Sequence, residues 1–177
     1  MEKRILIMLM ITFVLSGCQQ KVDFSFEDWD ANNDGQIDLP EFTYTFKNNY
    51  YDDWDNDNDQ YLDDEDFFKV VYRIWDIDGD KLLDEDEWVM GYRDFHGNTV
   101  QVDYKDINID GNDHVVYKEY MKGMNDADFY SAWDKNNDGN LSDNELATGI
   151  FHTWDTNNNG LIEEKEYQKF DAKYEDI

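Results

Sequence analysis

Acidic and amide side chains alternate at one fixed spacing in several places along this chain. Asp30, Asn32 and Asp34 stand two residues apart, Gly35 follows, and Asp38 and Glu41 complete a twelve-residue stretch. Asp134 to Glu145 and Asp155 to Glu166 repeat the arrangement, with Gly139 and Gly160 at the sixth place. Oxygen donors gathered this closely suit a hard cation, and a glycine at the sixth place permits the positive φ of a sharp turn. Calcium takes about six to eight oxygens at about 2.3–2.6 Å in flexible geometry. Zinc would want nitrogen or sulfur, and magnesium prefers a rigid octahedron that keeps several waters.

The three stretches match the pattern D-x-[DN]-x-[DN]-G-x-x-x-x-x-E at every defining position, and on those residues the chain resembles the EF-hand calcium-binding family. The resemblance covers almost everything after the first two dozen residues. It implies helix–loop–helix units in which the side chains at positions one, three and five, the carbonyl at seven and a bidentate glutamate at twelve hold calcium, with position nine often acting through a water. Loop one then offers Asp30, Asn32, Asp34, the carbonyl of Gln36, Asp38 and Glu41. Loop five offers Asp134, Asn136, Asp138, Asn140, Ser142 and Glu145, and loop six Asp155, Asn157, Asn159, Leu161, Glu163 and Glu166.

Three further loops depart from the pattern. Loop two has Asp55, Asp57, Asp59, Tyr61, Asp63 and Asp66, with Gln60 in place of glycine. Its aspartate at twelve reaches less far than glutamate, which tilts the site toward six-coordination and magnesium. Loop three has Asp76, Asp78, Asp80, Leu82, Asp84 and Glu87, with Lys81 at position six and Gly79 two residues earlier. Loop four reads in two frames. The frame set by Val115 and Glu119 gives Asn108, Asp110, Asn112, His114 and Glu119, with Asp113 at six and Val116 at nine. The frame set by Gly111 begins at Asp106 and puts Tyr117 at twelve, and a longer loop from Asp106 to Glu119 would reconcile the two. The expectation is about three strong calcium sites and up to six in all, with loop four the weakest or empty.

Helices must position these loops. The loops begin at Asp30, Asp55, Asp76, Asn108, Asp134 and Asp155, with steps of 25, 21, 32, 26 and 21 residues. The first pair of steps nearly equals the last, so the chain reads as a duplicated three-loop unit, 26–98 with loops 30–41, 55–66 and 76–87, and 99–177 with loops 108–119, 134–145 and 155–166. The residue before each loop is Trp29, Trp54, Trp75, Ile107, Trp133 or Trp154, and the residue after it Phe42, Phe67, Trp88, Tyr120, Leu146 or Tyr167. Position eight is Ile37, Leu62, Leu83, Val115, Leu141 or Ile162. The EF-hand resemblance makes the flanking residues helix-packing core and puts position eight in a short strand between partnered loops. The implied fold is an all-α helix–loop–helix array with short β pairing between loops. Loops three and four, separated by a turn near His96-Gly97-Asn98, look like an ordinary facing pair. Only Phe67–Trp75 and Leu146–Trp154 separate loops two from three and five from six. A nine-residue helix is about 13 Å long, so loops at its opposite ends do not pair easily. Pairing of one with two and of four with five is sterically easier though cramped, and spacing alone leaves the complete pairing open.

The 177 residues carry a formal net charge of −28, a pI near 4.1 and 16% aromatics. Charge this high with low hydropathy favours disorder, but the aromatics recur in register with the acids and argue for a folded chain. Without cations the chain should repel itself and be only loosely folded. No basic patch is present for nucleic acid. No nucleophile–base pair or phosphate-binding glycine loop is visible, and His96, His114 and His152 are scattered, so nothing points to an enzyme. At the N-terminus, Lys3-Arg4 precedes the apolar run Ile5–Leu15, which suits a signal peptide over 1–17. Leu15-Ser16-Gly17-Cys18 resembles a bacterial lipobox, which implies cleavage before Cys18, its lipidation, and a short linker over 18–25. Cys18 is the only cysteine, so an intramolecular disulfide is excluded. Gln19 in place of aspartate points to the outer membrane. The sequence reading is a calcium-binding lipoprotein of the cell envelope, in which calcium is needed for folding and presents a surface to a protein partner. The competing reading is a calcium buffer or a sensor that opens an apolar groove near Met90, Met121 and Met124.

Overall fold

The computed structural model describes residues 25–95 and 100–174. Cys18, the signal segment and the turn at His96-Gly97-Asn98 lie outside the described residues. The fold is mainly α: helices α1 (Phe26–Trp29), α2 (Leu39–Asn49), α3 (Asp64–Trp75), α4 (Glu85–Phe95), α5 (Tyr104–Ile107), α6 (Tyr117–Asp126), α7 (Asp143–Trp154) and α8 (Glu164–Tyr174), with strands β1 (Gln36–Asp38) and β2 (Leu161–Glu163). Two 3-10 turns, Tyr51–Asp53 and Tyr130–Ala132, lead into loops two and five. Among the described residues no helix is long and apolar enough to cross a membrane.

Each outgoing helix is started by the loop before it. Position nine is the N-cap: Asp38 accepts from the Glu41 N–H, Asp63 from Glu65 and Asp66, and Ser142 from Glu145. A side-chain oxygen here satisfies amides that the first helical turn leaves unpaired, worth about 1 kcal/mol per cap. The reach of the position-twelve glutamate back to the position-nine N–H completes a capping box in α2 and α7. As expected from spacing, α3 and α7 each serve as the way out of one loop and into the next.

The loops pair in a nested order. In β1 and β2, Gln36, Ile37 and Asp38 lie antiparallel to Glu163, Ile162 and Leu161, which joins loop one to loop six. Leu83 and Val115 exchange both backbone hydrogen bonds, at 3.0 and 2.8 Å, which joins loop three to loop four as expected. The Leu141 N–H donates to the Leu62 carbonyl at 2.7 Å, which joins loop two to loop five. The expected pairing of one with two and of four with five is therefore corrected. α2 crosses onto α7, where Lys47 pairs with Asp143, so the second half supplies the partners of loops one and two.

The flanking aromatics form the core. Trp29 stacks on Phe42 at 4.8 Å, Trp54 on Phe67 at 5.9 Å, and Trp75 meets Trp88 edge-on at 5.2 Å. Across the first pairing, Trp29 lies 5.8 Å from Trp154 and Phe26 lies 5.6 Å from Tyr167. Met124 is fully buried and Met121 half-buried against the core, so these methionines are packing residues. In loops three, four and five a glycine follows the position-twelve glutamate by four residues, and it clears space for the side chain that precedes the same loop. A Cβ on Gly91 would lie 2.3 Å from Trp75 Cγ, on Gly123 2.2 Å from Ile107 Cγ2, and on Gly149 2.1 Å from the Trp133 ring.

Candidate metal centres

The six loops share one hydrogen-bond scheme. The position-five side chain accepts from the position-seven N–H in all of them: Asp34 from Gln36, Asp59 from Tyr61, Asp80 from Leu82, Asn112 from His114, Asp138 from Asn140 and Asn159 from Leu161. The position-one aspartate accepts from the position-six N–H at 2.8 to 3.0 Å in loops one, two, three, five and six. The position-twelve glutamate spans the turn. Glu41 accepts from Asn32 and Asp38, Glu87 from Asp78 and Asp84, Glu145 from Asn136 and Ser142, and Glu166 from Asn157 and Glu163. The twelfth residue is thus held over the loop by amides of positions three and nine. Asp66 is too short for that span: its carboxylate accepts from the nearby Asn56 N–H at 3.0 Å, and the Asn56 side-chain amide donates to the Asp66 backbone carbonyl.

The turn itself needs two left-handed residues. Position six has positive φ at Gly35, Gln60, Lys81, Gly139 and Gly160, and position four at Asn33, Asn58, Gly79, Gly111, Asn137 and Asn158. Asparagine and glycine adopt this region most readily. Gly79 and Gly111 are thereby explained as position-four residues. Gln60 and Lys81 hold the same conformation at a cost of about 1–2 kcal/mol each, which sets loops two and three below their glycine-bearing counterparts.

Loop four follows the frame Asn108–Glu119. Val115 makes the strand pairing, and Glu119 accepts from Asp110 and Val116 as its counterparts do. Its turn differs, because Asp113 at position six is not in the left-handed region. Asn108 accepts from Gly111 at position four, and its amide donates to the Asn112 carbonyl. Val116 has no oxygen with which to cap α6. The loop keeps its strand and its glutamate but not the turn that carries the first ligand.

Two loops bring carboxylates together. Oxygens of Asp55, Asp57 and Asp59 lie within 4.8 Å of one another, as do those of Asp76, Asp78 and Asp80. In loops one, five and six an amide replaces the middle acid. One atom stands out: Asp76 Oδ1 is buried and has no hydrogen-bond partner among the described residues, while Oδ2 accepts from Lys81. A buried carboxylate oxygen left unpaired costs free energy that a cation would offset. Burial raises the Glu87 carboxyl despite the N–H groups of Asp84, Asp78 and Ile77, and burial raises Asp66 with help from Asp63, Asp57 and Asp55. Burial acts the same way on Glu145, but hydrogen bonds from Ser142, Asn136 and Lys135 outweigh it and hold that carboxyl low. All these donors are oxygen, so the residues fit a hard cation.

Tyrosines four residues before the loops tie the pairs together, a role the sequence reading missed. Tyr51 donates to the Leu141 carbonyl at 2.7 Å. Tyr130 reaches the Leu62 carbonyl at 2.8 Å and its own loop's Gly139 carbonyl at 3.2 Å. Tyr72 reaches the carbonyls of Val115 and Lys81, both at 2.9 Å, and Tyr104 those of Leu83 and Asp113, both at 3.3 Å. The equivalent residues of loops one and six are Phe26 and Phe151. The signal was present as Tyr, Tyr, Tyr, Tyr between two phenylalanines, a nested pattern that matches the pairing. Burial first, and then neighbouring aspartates, push the hydroxyls of Tyr51, Tyr72, Tyr104 and Tyr130 up, so they remain protonated donors at neutral pH. A scan against protein-family models, a search of curated proteins and a search of solved structures each returned no match.

Proposed function

We propose that this chain is a calcium-binding protein of EF-hand type, a lipoprotein of the bacterial cell envelope anchored through Cys18, whose fold depends on the bound ions. The observation that carries the reading is the unpartnered, buried Asp76 Oδ1 beside the converging Asp78 and Asp80. The common scheme of the loops supports extending it to loops one, five and six. There Asp30, Asp134 and Asp155 stand at position one and Glu41, Glu145 and Glu166 at position twelve, each accepting from N–H groups of its own loop, and the position-six turn is glycine. Loops two and three follow, loop two with the stronger leaning to magnesium, and loop four is the weakest. Bound calcium would neutralise acids that repel one another in the metal-free chain. Extracellular EF-hand modules bind at about 10⁻⁴–10⁻³ M, which suits a folding requirement better than a switch. A partner surface near loops three and four is supported by the exposed Ile77, Val89 and Ile109; the buried Met124 offers no support for a methionine-lined groove.

Calorimetric titration of calcium into the chelator-stripped chain from Gln19, followed by circular dichroism, tests the reading. The expected result is three to six binding events with a gain of helix and tertiary signal. Glu41→Gln, Glu145→Gln and Glu166→Gln together should abolish most of that gain. No binding at millimolar calcium would refute the proposal.

A further inference from the structure

Loop six alone joins an amide at position five to a glycine at position six: Asn159–Gly160 is the one Asn-Gly step in the chain. That dipeptide is chemically labile, because glycine offers an unhindered amide nitrogen to the carbonyl carbon of the side chain before it. The loop arranges three contacts that such a reaction needs. The Gly160 N–H donates to Asp155 Oδ2 at 2.8 Å, which polarises the attacking nitrogen. The Leu161 N–H donates to Asn159 Oδ1 at 2.9 Å, where negative charge gathers during the attack. The departing Nδ2 donates to Glu163 Oε1 at 3.2 Å. Asn159 and Gly160 are both exposed, and nothing lies within 4 Å of the place where a side chain would stand on Gly160, so ring closure and water meet no obstacle. The same backbone contacts surround Gly35 and Gly139, but there Asp34 and Asp138 present a carboxylate, a poor electrophile. Asn112 has the matching contact from His114 but is followed by Asp113, whose side chain hinders the nitrogen.

We propose that Asn159–Gly160 is a self-modification site, at which the chain converts its own side-chain amide to an acid. The Gly160 nitrogen bonds to Asn159 Cγ while its proton passes to the Asp155 carboxylate. The Cγ–Nδ2 bond breaks, Nδ2 takes a proton from water and leaves as ammonia, and Asp155 returns its proton to the hydroxide. A second water opens the resulting five-membered imide. Opening at Cγ leaves aspartate at position 159, and opening at the main-chain carbonyl leaves isoaspartate. Aspartate there gives loop six the position-five carboxylate that loops one, two, three and five already carry in Asp34, Asp59, Asp80 and Asp138. It also replaces the hydrogen bond from Asn159 to Glu163 by repulsion, so the loop becomes more dependent on a cation. Isoaspartate lengthens the main chain by one atom just ahead of β2 and moves Leu161–Glu163 out of register with β1. The effect on ion binding rests on the calcium reading above; the conversion itself does not.

The test is peptide mapping by mass spectrometry of the full chain, held in chelator and mild detergent at slightly alkaline pH. Asn159 should convert at least about tenfold faster than Asn112 or Asn157, to a mixture of aspartate and isoaspartate. Asp155→Asn should slow that conversion about tenfold without moving Asn112, and the difference should vanish in urea, where residue 155 no longer sits over Gly160. An Asn159 that stays intact in the native chain while it converts in urea would overturn the proposal. Equal native rates for the parent chain and Asp155→Asn would overturn it too. Asn159→Asp, which installs the first product, should lower the calcium midpoint of the Gly160 backbone amide about threefold or more; an unchanged or raised midpoint would overturn the gain assigned to loop six. A parent chain that converts Asn159 but shows no calcium response at Gly160 would instead overturn the calcium reading and leave the modification standing.

Discussion

Gly91→Ala puts the packing of the loop flanks to a quantitative test. The new methyl would lie 2.3 Å from Trp75 Cγ and 2.5 Å from Cδ1, so the ring must retreat by more than about 1 Å to reach ordinary contact. Trp75 has nowhere to go: it is fully buried and held by Trp88 at 5.2 Å and Tyr120 at 5.6 Å. Overpacking of this kind costs about 1–3 kcal/mol, and the crowding here is severe enough to place the cost at the upper end. Alanine recovers about 0.8–1 kcal/mol of helix propensity in α4. The net loss is about 2 kcal/mol, or about 4–8 °C in Tm for a chain of this size. Gly149→Ala makes an equally close contact with Trp133, but that ring borders a cleft of about 270 Å³ lined also by Phe95 and His152, into which it can shift. Its loss should be the smaller of the two. Thermal unfolding in saturating calcium, read by circular dichroism, measures both. An unchanged or raised Tm for Gly91→Ala would refute the argument that these glycines exist to admit the preceding side chain.

Three further outcomes follow from the loops and core. In chelator, stability should rise as pH falls from neutral through the raised values of Glu87 and Asp66 toward their ordinary 4.5 and 3.8, because the folded chain binds those protons more tightly than the unfolded one. Glu145 acts oppositely, and its contribution disappears only as pH falls through its lowered value; a Tm that declines steadily below pH 7 would contradict this balance. Tyr120→Phe removes a buried hydroxyl without a partner among the described residues and should be neutral or stabilising by up to about 1–3 kcal/mol in urea unfolding, whereas a clear loss would show that the hydroxyl is satisfied in solution. Asn108→Asp with Asp113→Gly gives loop four the missing ligand and turn, and calorimetry should count one more calcium than in the parent; an unchanged count would mean that the loop's register, not its chemistry, prevents binding.

The loops and their flanks were legible in the sequence because their chemistry is local. A twelve-residue turn must place glycine, asparagine and acids at fixed offsets, and tryptophan before the loop meets an aromatic after it within one helical hairpin. Loop four was ambiguous because one of its two frames took Gly111 as a position-six glycine, whereas it answers the left-handed demand at position four of the other. Pairing was less legible because it joins residues that no local period relates. Helix length correctly separated loop two from three and five from six, but the choice of partner depends on how α2 lies across α7. Its one sequence trace was the tyrosine or phenylalanine four residues before each loop, whose meaning appears only when the hydroxyl is seen to cross between strands.

The nested pairing also dictates how the chain can be built. Its three contacts close segments of roughly 30, 80 and 125 residues, and closing each is cheaper once the one inside it has formed, since only the added chain must then be ordered. Assembly should therefore begin at Leu83 and Val115 and spread outward. During synthesis, loop one leaves the ribosome before the other five loops and is the last of them to find its mate, because Ile162 follows Ile37 by 125 residues. A chain cut short before β2 would leave Ile37 without its covering strand and Phe26 without Tyr167, and a nascent chain passes through that same exposed state.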